Sequence, residues 1–104
     1  MKELSMAQLQ EYLKLKYDNG QTSTGLFMKL VEEVGEVAEV INQLEGRKAH
    51  TDTHSLEKEL VDVIHYTVAI ASINNIDLSS AIIEKDKQAS VKYNQTPDLE
   101  TFLS

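Results

Sequence analysis

The stretch from Leu56 to Ile73 constrains the fold more than any other. Wound as an α-helix, it carries apolar side chains on almost every side: Leu56, Leu60, Val61, Val63, Ile64, Val68, Ala69, Ile70, Ala71 and Ile73. A helix that is apolar all round has to be buried on most of its surface. It is not a membrane span, because Asp62, His65 and Thr67 interrupt the apolar run and the run is too short to cross a bilayer. The 104 residues form one domain, spanning 1–104, with too few other helices to surround such a segment. The expectation is a homodimer or homotetramer, with this helix near the interface.

The remaining chain reads as helical too. No segment sustains a two-residue alternation, Pro97 is the only proline, and the glycines are Gly20, Gly25, Gly35 and Gly46. The expected fold class is all-α, a four-helix bundle completed by oligomerisation. The first helix starts at Ser5, where Ser5 and Gln8 fit a capping box and Leu4 with Leu9 a hydrophobic staple. Leu9, Tyr12, Leu13 and Tyr17 line one face, and Asp18-Asn19-Gly20 ends it. A second helix runs from about Gly25 to Leu44, and residues 47–54 form a short polar connection between antiparallel neighbours. Ser55 or Thr53 caps the third helix, which reaches about Asn74. Asp77 or Ser79 starts a fourth, reaching about Tyr93, and the Thr96-Pro97 step stops it. Residues 98–104 are a tail.

Charge and composition narrow the function. The net charge of −7 repels a phosphate backbone, so a nucleic-acid polymer is not the expected partner. The absence of cysteine excludes disulfides, thiolate zinc sites and a cysteine nucleophile. The first residues hold no apolar run of signal-peptide type, and the cytoplasm is the expected location, with no membrane partner. Charge is segregated. Residues 29–45 carry Glu32, Glu33, Glu36, Glu39 and Glu45 against Lys29, whereas residues 85–92 carry Lys85, Lys87 and Lys92 against Asp86. An acidic wall and a basic strip suit a metal–polyphosphate ligand; two solvated helix faces are the plainer alternative.

Helical geometry separates these acids. With Leu26 at zero, Glu33 falls at roughly −20°, inside the apolar arc, and Glu36 at roughly −80°, at its edge. Glu32 and Glu39 lie further round, where solvent is expected. On the third helix, Glu59 lies between Ile70 and Tyr66, and Asp62 between Ile73 and Ala69. Each pair is spaced by three and projects from one face. Burying an ionised carboxylate without a partner costs several kcal/mol. Arg47 is the only arginine available to offset it. A hard divalent cation satisfies all four acids, and carboxylate-only ligation suits Mg²⁺, Mn²⁺ or Ca²⁺ rather than zinc. A di-iron bundle would use Glu-x-x-His pairs. The nearest approach is Asp62-x-x-His65, and His65 turns away from Glu59 on the wheel; His50 and His54 fall in the connection. Gly35, in mid-helix, fits either close approach by a neighbour or a tolerated packing glycine.

Glu32-Glu33-x-x-Glu36, followed by Glu59-x-x-Asp62, with Lys29-Leu30-Val31 before the first motif and Val63-Ile64-His65-Tyr66 after the second, resembles the signature of MazG-type all-α nucleoside triphosphate pyrophosphohydrolases. Asn75-Ile76-Asp77-Leu78 and the lysine-bearing helix after it extend the resemblance over about residues 9–94. It implies Mg²⁺-dependent cleavage of a nucleoside triphosphate between its α- and β-phosphates, as housecleaning of nucleotide pools. It implies Glu33, Glu36, Glu59 and Asp62 as metal ligands, Mn²⁺ serving as a substitute. It also implies Glu32 or Glu36 as the group that orients and deprotonates water. Tyr66 then contacts the nucleoside, and Lys29, Lys85 and Lys92 contact substrate. Where relatives carry a Lys-x-x-Lys-Asn-x-x-Arg run, this chain has Lys85, Gln88, Ala89 and Lys92, so the asparagine is missing. That departure leaves room for a catalytically weak nucleotide or metal sensor, and the apolar third helix for a helical adaptor.

Overall fold

A computed structural model of the protein describes residues 2–47, 49 and 55–104. Five helices follow one another: α1 (Met6–Tyr17), α2 (Ser23–Leu44), α3 (Leu56–Ile73), α4 (Leu78–Lys92) and α5 (Leu99–Leu103). No strand occurs among the described residues, so the fold is all-α as expected. Thr53, His50 and His54 lie outside the described residues.

Local chemistry sets the helix starts. The Ser5 hydroxyl accepts from the Gln8 amide, and the Gln8 side chain accepts from the Ser5 amide, both at 3.1 Å, closing the capping box. Thr22 caps α2 by accepting from the Gly25 amide at 3.0 Å. The helix therefore begins at Ser23, two residues before the expected start, because the first of three adjacent hydroxyl residues takes the cap. Ser55 caps α3 and Asp77 caps α4. Residues 98–104, expected as a tail, contain the short α5. Asp98 caps it, and the Asp86 carboxylate on α4 accepts from the Leu99 amide at 2.7 Å.

The core is the cluster Leu13, Leu26, Val68 and Ala69, contributed by α1, α2 and α3. Met6, Leu9, Tyr17, Tyr66, Ile70, Ile73 and Leu78 pack around it. On α1 the buried stripe is Met6, Leu9, Leu13 and Tyr17, a three-and-four spacing that leaves Tyr12 beside it. Tyr12 is exposed, contrary to the expected face, with the Lys16 ammonium 5.9 Å from its ring centre. α3 is central, with α1 and α2 packed along it, whereas α4 packs on α1 and α5.

Coverage of α3 is uneven. Val68, Ala69, Ala71 and Ser72 are buried, but Leu60, Val61 and Ile64 are exposed at 45, 58 and 52%. Phe27, Met28, Val31, Val34 and Leu44 on α2 are also exposed. The radius of gyration is 16.7 Å, against about 13 Å for a compact domain of this length. Among the described residues no helix is long and apolar enough to cross a membrane.

Candidate metal centre

The packing of α2 along α3 brings Glu33, Glu59 and Asp62 together. One carboxylate oxygen from each lies within 4.8 Å of the others. Glu59 is buried, at 6% exposure, while Glu33 and Asp62 are half-buried. The i, i+3 spacing puts Glu59 and Asp62 on one face of α3, and Glu33 approaches from α2.

These acids crowd one another. The Glu33 carboxyl is held above the ordinary glutamate range, first by burial, then by its hydrogen bond with Glu59 and by the charges of Asp62 and Glu59. A group that resists ionising beside two other acids is one that a cation would stabilise. The donor set is oxygen only, compact and on two rigid helices, which fits a hard divalent ion such as Mg²⁺ or Mn²⁺.

The other expected site residues are placed less closely. Glu36 is half-buried on α2 and is not a member of the three-carboxylate group. Glu32 is exposed and pairs with Lys29 at 3.6 Å, both side chains largely solvated. Such a pair contributes little to stability.

Tyr66 packs on the core cluster. His65 meets both tyrosines edge-on, Tyr66 at 4.9 Å and Tyr17 at 5.6 Å between ring centres. Its Nε2 is 2.6 Å from the Tyr17 hydroxyl. Burial first, and then Lys16, lowers the pKa of His65, with Asp62 opposing. Burial also raises the pKa of Tyr17. Both groups are therefore neutral near pH 7, forming an uncharged brace one turn beyond Asp62. Tyr17 has no functional signal in the sequence, because its partner lies two helices away.

Lys85 and Lys92 line a shallow pocket of about 300 Å³ on α4, with Gln88, Ala89 and Tyr93. None of the carboxylates borders it. A larger cavity of about 560 Å³ lies at the α4–α5 junction, lined by Asn94, Thr96 and Asp98 among others, and no expected site residue borders it.

Comparison with known proteins supplies the remaining findings. Residues 21–92 match the family model of the MazG nucleotide pyrophosphohydrolase domain. The crystal structure of iMazG from Vibrio DAT 722 is similar over 88% of this chain and 100% of that one, at 30% identity and a TM-score of 0.64. That of YPJD from Bacillus subtilis, a candidate pyrophosphatase, is similar over 93% of this chain and 100% of that one, at 25% identity and a TM-score of 0.70. A search of curated proteins returned no match.

Proposed function

The chain belongs to the MazG nucleotide pyrophosphohydrolase family, and from that premise we propose that it hydrolyses a nucleoside triphosphate to the monophosphate and pyrophosphate in a Mg²⁺-dependent reaction. The substrate is a dNTP or a non-standard NTP. The observation that carries this reading is the convergence of Glu33, Glu59 and Asp62 from α2 and α3.

These three acids, with Glu36 beside them on α2, hold the ion; Mn²⁺ substitutes for Mg²⁺. When bound, the ion neutralises charge on the phosphate oxygens and makes a water more acidic. Glu32 or Glu36 accepts the proton of the attacking water. Lys85 and Lys92 neutralise the departing pyrophosphate, Lys29 contributes at the acidic end of α2, and Tyr66, steadied by His65, contacts the nucleoside.

The assembly proposed with this reading is a homodimer or homotetramer. The chain has 7977 Å² of accessible surface and a mass of 11.7 kDa, whereas a folded monomer of that mass exposes about 5,900 Å². The exposed apolar residues of α2 and α3 contribute to the excess, and a second copy would cover them. Sedimentation equilibrium is expected to give the mass of two or four chains; a monomer at micromolar concentration would refute this.

The test of the activity is a panel of NTPs and dNTPs with Mg²⁺, scored separately for pyrophosphate and orthophosphate. Pyrophosphate release that disappears in both Glu33→Gln and Glu59→Gln is expected. Full turnover in both variants would remove the site assignment. Ala89, in the lysine pocket where relatives carry asparagine, favours a second reading as a nucleotide sensor. Tight nucleotide binding with no pyrophosphate released would select it.

A further inference from the structure

Helix α4 carries the lysines assigned to pyrophosphate, yet its helix neighbours are α1 and the short α5. Where α4 leaves α3, one side chain from α1 bonds both sides of the turn. The Gln10 amide donates from Nε2 to the Ile76 carbonyl at 2.6 Å. Its Oε1 accepts from the Leu78 amide at 3.0 Å. Leu78 is the first residue of α4, and a first-turn amide has no partner within its own helix. Asp77 satisfies the Ser80 amide from within the chain turn, so Gln10 supplies a second cap from another helix. The backbone of the same residue is also held, since the Ser72 hydroxyl donates to the Gln10 carbonyl at 2.9 Å. Lys14, one turn further along α1, bonds the Asn75 side chain. Asn75 itself takes the left-handed conformation, with φ of 56°, at the bend between α3 and α4.

We propose that Gln10 is a positioning residue: by clamping the α3–α4 turn to α1 it fixes where Lys85 and Lys92 are presented, and so sets the affinity for pyrophosphate. This rests on the assignment of those lysines to phosphate. Gln10 touches no substrate and acts only through α4. No other side chain spans both ends of this turn, from the Ile76 carbonyl to the Leu78 amide, among the described hydrogen bonds.

The test has two arms on the full chain. With no native cysteine, spin labels at Lys58→Cys on α3 and Val91→Cys near the end of α4 report their separation without background, in samples diluted with unlabelled protein. Native Gln10 is expected to give one narrow distance distribution, and Gln10→Ala a shifted or broadened one. The second arm titrates inorganic pyrophosphate in Mg²⁺ by calorimetry. Gln10→Ala should weaken binding by about five-fold, the scale of one or two lost hydrogen bonds. Gln10→Glu keeps the acceptor for Leu78 and lacks the donor to Ile76, so it should weaken binding less. Mg²⁺ affinity should stay unchanged in both. Unchanged distances overturn the proposal, as do shifted distances with unchanged pyrophosphate affinity. Equal losses of Mg²⁺ and pyrophosphate affinity indicate general loosening and overturn it too. If the parent protein binds no pyrophosphate, the phosphate assignment is what fails, and the distance arm alone decides whether Gln10 sets α4.

Discussion

The two halves of α3 are built on opposite plans. Towards its C-terminus, Val68, Ala69, Ala71 and Ser72 are buried, and their small volume lets α1 and α2 approach. Towards its N-terminus the order inverts: Glu59 is buried while Leu60, Val61 and Ile64 are exposed. Both halves are apolar by composition, so composition does not separate them. A lone chain with a carboxylate inside and three aliphatic side chains outside carries two costs, desolvated charge and wetted hydrocarbon. One half is stabilised by its own chain. The other, on the function proposed above, would be completed by an ion on one side and a second copy on the other.

That contrast can be broken most severely from the core side. Leu13 is fully buried against Val68 and Ala69, and Leu13→Ala should cost about 2–5 kcal/mol. Urea unfolding measures it, and a loss below 1 kcal/mol would mean that this half is no better packed than the other. At the acidic end, Glu59→Gln should leave the metal-free protein at least as stable as the parent, since it removes a buried charge. It should also abolish the stabilisation that Mg²⁺ gives, about 2.7 kcal/mol at a hundred-fold excess over Kd. Thermal melts with and without Mg²⁺ compare the two, and an undiminished Mg²⁺ response in the variant would contradict the ligand role.

Smaller again is a pH effect. Without metal, the raised pKa of Glu33 means that the folded chain holds this proton more tightly than the unfolded chain. The contribution of Glu33 to stability is then highest below the ordinary glutamate range. It falls as pH rises through that range and on through the raised value, above which the full cost is present. Urea midpoints across pH in EDTA should show this fall, and Glu33→Gln should flatten it. The smallest effect belongs to Gly35. A Cβ built there meets nothing within 4 Å, so Gly35→Ala should stabilise the chain by about 1 kcal/mol through helix propensity alone. Destabilisation instead would place a second copy or a ligand against that face.

What could be read from the sequence follows from how local each signal is. The Ser5–Gln8 box and the caps at Ser55 and Asp77 are bonds within one turn, and they stand where the residue types placed them. Glu33, Glu59 and Asp62 were legible because an acid inside an apolar arc is conspicuous at helical period. Glu36, at the edge of that arc, is likewise the member left outside the close group. Tyr12 was misplaced because a stripe starting at Leu9 omits Met6, which completes the buried spacing. α5 escaped notice because five residues are too few to show a period, and its anchor, Asp86, is on another helix. The separation of the lysine pocket from the carboxylates was not legible at all. It depends on how α4 packs on α1, a contact between segments far apart in sequence.

The attachment of α4 has a consequence for how the molecule breathes. Leu78 is its only residue against the core cluster, and Asp86 ties α5 to α4 rather than to the rest. The two helices therefore form a cooperative unit that can lift away at the cost of the Leu78 contact, leaving Leu13, Leu26, Val68 and Ala69 packed on one another. Local opening of such a unit costs less than global unfolding. In hydrogen–deuterium exchange, amides of α4 and α5 should exchange together at a shared, lower free energy, while those around Val68 and Ala69 wait for the whole fold to open.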